Sequence, residues 1–427
     1  ISGLDTSRYY GVFVVGDPQA QYDILYDYTG NTFIDGQARE NDLVLIMREN
    51  NADTTWKRRA AIANALDPSA NIFVVPFQSG TEYLAAFHDA YPLPPGPGNA
   101  LELDGTDDYV DISEHAGDLT FSAPATIEFW ARSDSNHTSN GDVIFAVSDG
   151  DSLVNDGRSF QVSYGDFSTG LTDELIAVTH VTGSSTTNWT QAGFSTTNDV
   201  SNEWHHYAVV ADGSAYTFYM DGVQQTTVNS SLGSNPDLGV YGDSLSAEAT
   251  AEFGRIFYNT SALRGDIDEF RLWDTILTAD QIRTYLANKN IFDHPELEHL
   301  EAYYRFDDAT GTLVADLANG SDGGLMNGSA TGLSGAALGD TSVFNYSAPY
   351  LVSLTPPDGS TFLVNNVSGA PDGMHLYLVN EPPNNTDNAS GVVSQDTSRY
   401  FGVFAAGGTN VTFNALHGYS NNALLNG

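Results

Sequence analysis

Three aspartates crowd one short turn of the sequence. Asp104, Asp107 and Asp108 lie within the run Asp104-Gly-Thr-Asp-Asp108. Short carboxylates and backbone carbonyls can converge in such a turn, and hard oxygen donors are the ligands that Ca²⁺ prefers. The spacing therefore predicts a structural calcium site. The alternative is that Asp104 and Asp107 accept hydrogen bonds from backbone amides in Asx-turns and hold no ion.

One tryptophan is a candidate for contact with a glycan. Trp189 lies in the polar segment Thr186-Thr-Asn-Trp-Thr190, where no hydrophobic pattern predicts a place in a core. An exposed aromatic ring offers a flat apolar face on which a sugar ring can stack. In contrast, Trp130, Trp204 and Trp273 lie in strand-like motifs, and we expect them in the core.

The composition excludes several chemistries. The 427 residues include no cysteine, which rules out disulfides, zinc–thiolate sites and a cysteine nucleophile. The motifs Gly-x-Ser-x-Gly and His-Glu-x-x-His and the phosphate-binding loop are also missing from the sequence. With 55 acidic against 15 basic side chains the formal charge is −40. Nucleic acid and anionic membranes are therefore unfavourable partners.

The remaining composition favours a folded, strand-rich protein. Hydrophobic residues make up 41% of the chain and aromatic residues 11%, which is enough to close cores despite the charge. Abundant Gly, Thr, Ser and Asn favour strands and turns. No apolar run of 18 or more residues occurs, so we expect no membrane insertion. The first residue is isoleucine, and we expect the chain to be part of a longer protein.

The two ends of the chain repeat each other. The block Asp5-Thr-Ser-Arg-Tyr-Tyr-Gly-Val-Phe13 recurs 391 positions later as Asp396-Thr-Ser-Arg-Tyr-Phe-Gly-Val-Phe404, and the match spans about fifteen positions without a gap. This predicts a parent protein of tandem repeats, of which the chain covers one period and a short overlap. Neighbouring repeats of the same chain are then its first expected partners.

The repeat implies that one β-sandwich module is divided between the two ends. We expect its C-terminal part at residues 1–91 and the N-terminal part of the next copy at residues 334–427. Both stretches contain short β-favouring runs bounded by Gly, Pro, Asn or Asp, a pattern typical of an antiparallel β-sandwich. These runs are residues 9–15, 22–28, 43–47, 72–76, 361–365 and 375–379.

A linker precedes the middle of the chain. The run Pro92-Leu-Pro-Pro-Gly-Pro-Gly98 lacks the backbone donors that a ladder or a helix needs. The block that follows, residues 99–333, contains ten or more short strand-like runs with Asp-Gly turns, which predicts a jelly-roll sandwich. These runs are residues 100–103, 109–112, 126–131, 143–147, 160–164, 175–181, 204–210, 216–220, 252–257 and 267–273.

A single helix is predicted in this block. Thr278 and Gln281 have the spacing of a capping box. Ile282, Tyr285 and Leu286 follow as an apolar stripe with helical period.

Four motifs in the middle block occur in a recognisable order. They are Ala100-Leu-Glu-Leu-Asp-Gly-Thr-Asp-Asp-Tyr-Val110, Thr126-Ile-Glu-Phe-Trp-Ala131, Trp204-His-His-Tyr-Ala-Val-Val210 with Phe218-Tyr-Met-Asp-Gly222, and Gly265-Asp-Ile-Asp-Glu-Phe-Arg-Leu-Trp273. In this order they resemble the laminin G-like, concanavalin A-like jelly roll. The later stretch Leu300-Glu-Ala-Tyr-Tyr-Arg-Phe306 resembles the strand that closes such domains in large bacterial surface proteins. The divided module is similar to β-modules that alternate with such domains in giant type IX-secreted adhesins.

The resemblance implies further site residues. Domains of this family often hold a structural calcium near the aspartate turn, with an aspartate of the last-strand motif as a further ligand, here Asp268 in preference to Asp266. Some enzymes of the same fold carry paired carboxylates on one strand, and Asp266 and Asp268 have that spacing. However, the hydrolase pattern begins with glutamate, and this stretch matches the non-catalytic motif better. We therefore expect no enzyme and no catalytic residue.

Together the repeat and the resemblance predict an all-β repeat unit of a giant extracellular adhesin or filament on a bacterial cell surface, which attaches the cell to a surface, prey or substrate. Its expected partners are neighbouring repeats, further copies in a homo-oligomeric filament and surface glycans. A carbohydrate-binding lectin module is the alternative. A glycoside hydrolase of concanavalin A-like fold is the third interpretation.

Overall fold

The computed structural model describes residues 9–13, 22–32, 34–35, 43–48, 57–59, 66–67, 71–78, 82–87, 96–113, 123–133, 142–148, 159–165, 174–181, 189–196, 200–231, 250–255, 262–291, 294–307, 312–318, 323–382 and 398–418. Strands dominate these residues, and the predicted all-β class is confirmed. In this part of the chain, no helix has the length and apolar character needed to cross a bilayer.

The chain divides into two compact units. The smaller unit takes residues 1–93, 290–300 and 318–320, and the larger unit takes residues 94–289, 301–317 and 321–427. The module boundaries expected at residues 91, 98 and 333 stay predictions.

Two small antiparallel sheets form the smaller unit. Its described strands are β1 (Tyr10–Gly11), β2 (Tyr22–Asp27), β3 (Leu43–Arg48), β4 (Lys57–Arg59), β5 (Leu66–Asp67), β6 (Ile72–Gln78) and β7 (Glu82–Phe87), and a 3₁₀ turn covers Leu297–His299. The sheet orders are β1–β7–β3–β4 and β2–β6–β5, and Tyr28, Leu43 and Tyr83 are buried in one cluster between them. Three predicted strands are confirmed here. The strand predicted at residues 9–15 pairs only at Tyr10 and Gly11 among the described residues.

The middle block folds as a two-sheet sandwich, as predicted. Its described strands are β8 (Asn99–Asp104), β9 (Tyr109–Asp111), β10 (Ala125–Ser133), β11 (Asp142–Ser148), β12 (Ser159–Tyr164), β13 (Glu174–Val181), β14 (Trp189–Ser195), β15 (His205–Ala211), β16 (Tyr216–Met220), β17 (Val223–Gln224), β18 (Val228–Ser231), β19 (Thr250–Phe253), β20 (Arg264–Trp273), β21 (Leu300–Tyr304), β22 (Leu313–Val314), β23 (Gly323–Met326) and β24 (Ala330–Leu333). One sheet has the order β17–β16–β15–β10–β20–β8–β24 with β21 paired to β20, and the other has the order β18–β14–β13–β12–β11–β19–β9–β23–β22.

Aromatic rings fill the space between these two sheets. Phe270 of β20 lies 4.8 Å from both Phe145 and Phe253, measured between ring centroids, and stacks on Phe129 at 6.3 Å. Because side chains alternate along a strand, the residues between these rings must point the other way. The sheet that contains β10 and β20 therefore has a second face, here called the outer face, which carries Glu128, Trp130, Arg132, Asp266, Asp268, Arg271 and Trp273.

The predicted helix is confirmed as α1 (Ala279–Tyr285). Thr278 Oγ1 accepts a hydrogen bond from Gln281 N at 3.2 Å, and Thr278 N donates to Gln281 Oε1 at 2.8 Å, which completes the capping box. Ile282 and Tyr285 are buried, so one side of this short helix packs against the sandwich.

A second, smaller sandwich follows the jelly roll. We name residues 341–418 the C-terminal sandwich; its described strands are β25 (Thr341–Asn345), β26 (Val352–Leu354), β27 (Thr361–Ser368), β28 (Gly373–Val379), β29 (Tyr400–Ala406) and β30 (Thr412–Gly418). The sheet orders are β25–β28–β29 and β26–β27–β30. Val364, Met374 and Leu376 are buried between them. Both strands predicted in this stretch, at residues 361–365 and 375–379, are confirmed.

We expect Phe270→Ala to lower the free energy of unfolding of the larger unit by about 3–5 kcal/mol, because it leaves a cavity amid three rings. Urea unfolding followed by tryptophan fluorescence measures the change. Leu333→Ala, at a side chain that is 69% exposed, is the control and should shift the transition by less than about 0.5 kcal/mol. Equal shifts in the two variants would contradict the placement of Phe270 in the core.

Candidate functional site

The aspartate turn brings its three carboxylates together. One oxygen from each of Asp104, Asp107 and Asp108 lies within 4.8 Å of the others. The turn is sharp because Gly105 has a φ of +77°, and a Cβ there would lie 2.6 Å from Arg264 Cβ. Three carboxylates at this spacing form a hard, anionic donor set, which fits Ca²⁺.

Internal hydrogen bonds also hold the turn. Asp104 Oδ1 accepts from Thr106 N at 2.7 Å, which is the Asx-turn that the sequence offered as the alternative, and Asp104 N donates to Asp108 Oδ2 at 3.1 Å. Burial, together with the charges of Asp104 and Asp107, raises the pKa of Asp108. A cation would relieve this repulsion, so the electrostatics of the turn favour one. Calcium stays a prediction.

Asp268, the further ligand implied by the resemblance, lies elsewhere. In the pairing of β8 with β20, Asp104 is opposite Arg264, so Asp268 is four residues further along, or ~13 Å at ~3.3 Å per residue. Its Oδ1 accepts from Glu269 N at 2.7 Å and its Oδ2 accepts from Ser334 Oγ at 2.5 Å. The structure therefore does not bring Asp268 together with the aspartate turn, because strand register separates them.

Trp189 is the first residue of β14, where its backbone lies opposite Val181 of β13. The sequence placed it in a loop, whereas the described backbone is paired. Its side chain lies outside the described part of the structure, so glycan contact by Trp189 stays a prediction.

The two carboxylates with hydrolase-like spacing are both engaged. Asp266 Oδ2 accepts a hydrogen bond from Arg132 Nε at 2.6 Å and forms an ion pair with the same guanidinium. Burial, reinforced by the charges of Glu269 and Asp307, raises the pKa of Asp268 well above its ordinary value. Each carboxylate thus has a structural partner on the outer face.

A buried charge network occupies the centre of the outer face. Arg271 is 1% exposed; its Nη2 donates to Glu269 Oε2 at 2.5 Å and its Nη1 donates to Glu128 Oε1 at 3.3 Å. Tyr303 Oη donates to the same Glu269 oxygen at 2.6 Å, and Trp273 Nε1 donates to Glu128 at 3.2 Å. Burial alone would lower the pKa of Arg271, but Tyr303, Glu269 and Glu128 raise it above its ordinary value, so the guanidinium stays charged.

A β-bulge creates this network. The register of β10 against β20 shifts between Glu128 and Trp130, and Glu269 has a φ of +51°. The extra residue allows Asp268 and Glu269, neighbours in sequence, both to reach partners outside the ring-filled core. Sequence analysis missed this network; its signal was the presence of the charged residues Glu128 and Arg271 within otherwise apolar runs.

The outer face is covered by the chain that follows it. Trp130 Nε1 donates to Leu286 O, just after α1, at 2.7 Å. The ring of Phe404, in β29 of the C-terminal sandwich, packs edge-on against Trp130 with centroids 5.4 Å apart. Trp130 and Trp273 are therefore buried, as predicted, but in this second layer and not between the two sheets of the jelly roll.

Lys289 joins the jelly roll to the C-terminal sandwich. Its side chain is fully buried, and Nζ donates to Gly96 O at 2.7 Å. The same ammonium lies 3.1 Å from Asp340 Oδ1 and 3.3 Å from Glu381 Oε2. A buried ammonium with two carboxylates and a carbonyl has its charge satisfied, and these groups come from three separate stretches of chain. The lysine was not identifiable from the sequence, because its partners are distant.

A hydrogen-bonded pair of rings forms a second contact at this junction. Tyr346 Oη donates to Asp221 O at 2.5 Å and lies 2.8 Å from His375 Nε2. The tyrosine oxygen therefore accepts from a protonated Nε2, which leaves Nδ1 of His375 as a bare acceptor with no hydrogen-bond partner among the described residues. Burial, helped by the charge of Arg283, lowers the pKa of His375 to about 3.

A family model matches part of the chain. Residues 104–283 match the laminin G-like family model described as the concanavalin A-like lectin/glucanases superfamily. No curated protein matches the chain. The repeat context and the type IX secretion route stay predictions.

Several solved structures are similar to the chain at low identity. The chain is similar to a protein from Bacteroides ovatus described as carbohydrate binding (17% identity, 63% of this chain and 70% of that chain, TM-score 0.36). It is also similar to a heptameric SAP-like pentraxin from Limulus polyphemus (16% identity, 44% and 81%, TM-score 0.29). A third is the CBM40 of the Ruminococcus gnavus IT-sialidase, bound to α2,3-sialyllactose (14% identity, 43% and 94%, TM-score 0.31). At these TM-scores the likeness bears on neither site nor ligand.

We expect Ca²⁺ to raise the melting temperature of the larger unit relative to chelator, because an ion that binds only the folded state stabilises it by ~2.7 kcal/mol at 100 times its Kd. Asp108→Asn should remove most of this response in scanning calorimetry. Asp280→Asn, at a side chain that is 85% exposed, is the matched control and should keep it. An unchanged midpoint in chelator would contradict a structural ion.

We expect the larger unit to lose stability as the pH falls below about 6.5. The folded pKa of His375 is lowered to about 3, so between these values the unfolded chain binds a proton that the folded chain does not. Stability then falls by ~1.4 kcal/mol per pH unit for this group. In unfolding curves between pH 4.5 and 8, His375→Gln should flatten the dependence. His299→Gln, half-exposed in the smaller unit, should not. Parallel curves for wild type and His375→Gln would contradict the assignment.

Proposed function

We propose that this chain is a non-enzymatic repeat unit of a long extracellular protein, an adhesin or surface filament that attaches a bacterial cell to its surroundings. The observation that carries the proposal is the recurrence of the block at residues 5–13 as residues 396–404, with eight of nine positions identical. The recurring block flanks a complete jelly roll, which is the arrangement expected when one domain is repeated along a chain.

The packing after the jelly roll supports a mechanical role. Lys289 binds the carbonyl of Gly96, before the jelly roll, and forms ion pairs with Asp340 and Glu381. The ring of Phe404 packs against Trp130. Such contacts fix the direction in which the chain leaves the jelly roll. A series of units joined in this way forms a stiff array, whereas flexible linkers would let the units collapse on one another.

The state of the outer face supports a non-enzymatic unit. A retaining glycosidase needs two carboxylates about 5–5.5 Å apart that can reach a sugar. Here Asp266 is paired with Arg132, Asp268 is bonded to Ser334, and the centre of the face is beneath α1 and the C-terminal sandwich. Both carboxylates thus make contacts within the fold, which supports a structural role for them.

Glycan binding is the second candidate, and the family match of residues 104–283 favours it. The covered outer face directs a binding site to the loops or to the other sheet, which includes β14 and therefore Trp189. Weak sites repeated along a chain gain strength by effective concentration, so a lectin role and an adhesin role reinforce each other.

The charge and the expected partners fit the same proposal. A net charge of −40 per unit keeps a long surface protein soluble and extended, and it makes divalent cations natural partners of exposed carboxylate turns. We therefore retain neighbouring repeats, a homo-oligomeric filament, surface glycans and structural calcium as proposed partners.

We expect a single unit in solution to bind immobilised bacterial surface polysaccharides weakly. A chain of two tandem units should bind ~10²–10⁴-fold more tightly, because the second contact is intramolecular. Trp189→Ala should lower binding at least about fivefold, and Leu333→Ala should leave it unchanged. Binding by surface plasmon resonance and release of reducing ends are measured on the same polysaccharides.

Two outcomes would overturn the proposal. Absence of binding by both single and tandem chains would contradict adhesion through this unit. Release of reducing ends that disappears in Asp268→Asn, with the fold intact by circular dichroism, would favour the hydrolase interpretation.

A further inference from the structure

The repeated sequence folds into the same pair of strands at both ends. At an offset of 391 residues, β1 corresponds to the start of β29, and β2 corresponds to β30. Tyr10 contacts Tyr26 with ring centroids 5.5 Å apart, and the equivalent residues Phe401 and His417 are also 5.5 Å apart. The two copies therefore place the same positions toward a sandwich interior. We call each of them the shared strand pair.

The two copies have different neighbours. In the smaller unit, β1 pairs with β7 and β2 pairs with β6. In the C-terminal sandwich, β29 pairs with β28 and β30 pairs with β27. Among the described residues, β29 and β30 are the last strands of their sheets, and so are β1 and β2. Each copy of the shared strand pair thus ends two sheets that extend to one side only.

One edge of a strand holds one partner, so the same strand can make both pairings only if the two sets of neighbours lie on opposite edges. Along a strand, residues that face the core direct their N–H and C=O to one edge, and residues that face outward direct theirs to the other. In β29, Ala406 is in phase with the outward Phe404, and its carbonyl accepts from Asp372 N, next to β28. The core-facing residues of β29 therefore direct their backbone groups to its open edge.

Side-chain exposure agrees with this relation. Phe13 is 88% exposed, yet its equivalent Phe404 is packed against Trp130. Phe413 is 39% exposed, yet its equivalent Tyr22 is hydrogen-bonded through its hydroxyl to Tyr83 at 2.7 Å. Each copy thus exposes an aromatic ring whose equivalent in the other copy has a packing or hydrogen-bond partner.

We infer that the two ends are complementary halves of one sandwich, and that the C-terminal sandwich is completed by strands β3 to β7 of a second copy of this unit. The shared strand pair is then counted once. The completed sheets have the orders β25–β28–β29–β7–β3–β4 and β26–β27–β30–β6–β5, with β3 to β7 from the following copy. The register of β1 on β7 places Phe401 opposite the following copy's residue 83 and Gly402 opposite its residue 82.

The completed module joins two jelly rolls. The first jelly roll contributes Trp130 as the seat for Phe404, and the second follows directly after β7 through the Pro-rich linker. Among the described residues β29 and β30 are edge strands, and an antiparallel partner from the following copy covers their edges. This inference rests on the proposed tandem repeat and adds the pairing by which one repeat completes the next.

The test is a two-unit chain, made by joining residue 37 of a second copy to Gly427, the position equivalent to Gly36. Because the protein has no cysteine of its own, any disulfide that forms must join the introduced cysteines. Phe401→Cys in the first unit with Tyr83→Cys in the second should form a disulfide. Tyr10→Cys with Tyr83→Cys, both in the first unit, is the positive control, since these residues are opposite each other. Phe401→Cys with Tyr83→Cys of the first unit is the negative control.

We expect the test pair to oxidise to within about twofold of the positive control and at least about tenfold faster than the negative control. Oxidation no faster than in the negative control would overturn the inference. Hydrogen exchange needs no substitution and guards against a variant that fails to fold. The amides of Phe401, Val403 and Ala405 should exchange at least about tenfold more slowly in the two-unit chain than in the single chain. Equal exchange rates would overturn the inference as well.

The outcomes separate this inference from the proposed function. A two-unit chain that forms the cross-link but binds no polysaccharide would refute adhesion and keep the strand pairing. A two-unit chain that binds polysaccharide without the cross-link and without slower exchange would do the reverse.

Discussion

The buried guanidinium of Arg271 sets a requirement that the surrounding structure has to meet. A charge taken out of water costs several kcal/mol unless its hydrogen-bonding groups are satisfied. Glu269 and Glu128 supply carboxylates, and the carbonyls of Tyr285 and Asn288 accept from the same guanidinium at 3.3 and 3.1 Å. Those carbonyls belong to α1 and the segment after it, so the charge can be satisfied only when this part of the chain lies on the sheet.

That requirement explains why the outer face of the jelly roll is covered by α1 and the segment that follows it. With Arg271 in place, α1 must dock, and Leu286 O then receives the indole N–H of Trp130. The same segment contains Lys289, whose ammonium forms ion pairs with Asp340 and Glu381. These ion pairs position the C-terminal sandwich on the jelly roll. Buried polar groups that satisfy one another across three stretches of chain favour one arrangement over looser ones, since each wrong arrangement leaves a charge unpaired.

The same contacts link the stability of the jelly roll to the position of the C-terminal sandwich. A sugar-binding or catalytic groove needs an open face, whereas the centre of this outer face is covered by α1 and the C-terminal sandwich. These contacts fix the direction in which the chain passes from the jelly roll to the C-terminal sandwich. Among the described residues, β29 and β30 are the edge strands of their sheets, and the proposed pairing with a following copy would extend both sheets. Recognition, where it occurs, is left to surfaces that this junction does not use.

Local signals were readable from the sequence wherever the partners are close along the chain. Thr278 and Gln281 are three residues apart, and their capping box is present as expected. The aspartates of the turn at 104–108 are similarly close, and they converge. Asp268 could not be placed in this way, because its distance from the turn depends on the register of β8 against β20. Burial of Trp130 was expected, but the layer that buries it comes from Leu286 and Phe404, far along the chain.

By itself, therefore, the sequence determined the all-β class, ten of the strands in the jelly roll, the helix cap and the recurrence of one block at both ends. These follow from alternation, turn residues and identity, which are local properties. The tertiary structure decided which charges share a site, which face is covered and with which strands the two copies of the repeated block pair. Such facts depend on strand register and on contacts between residues up to about three hundred positions apart, and no local pattern encodes them.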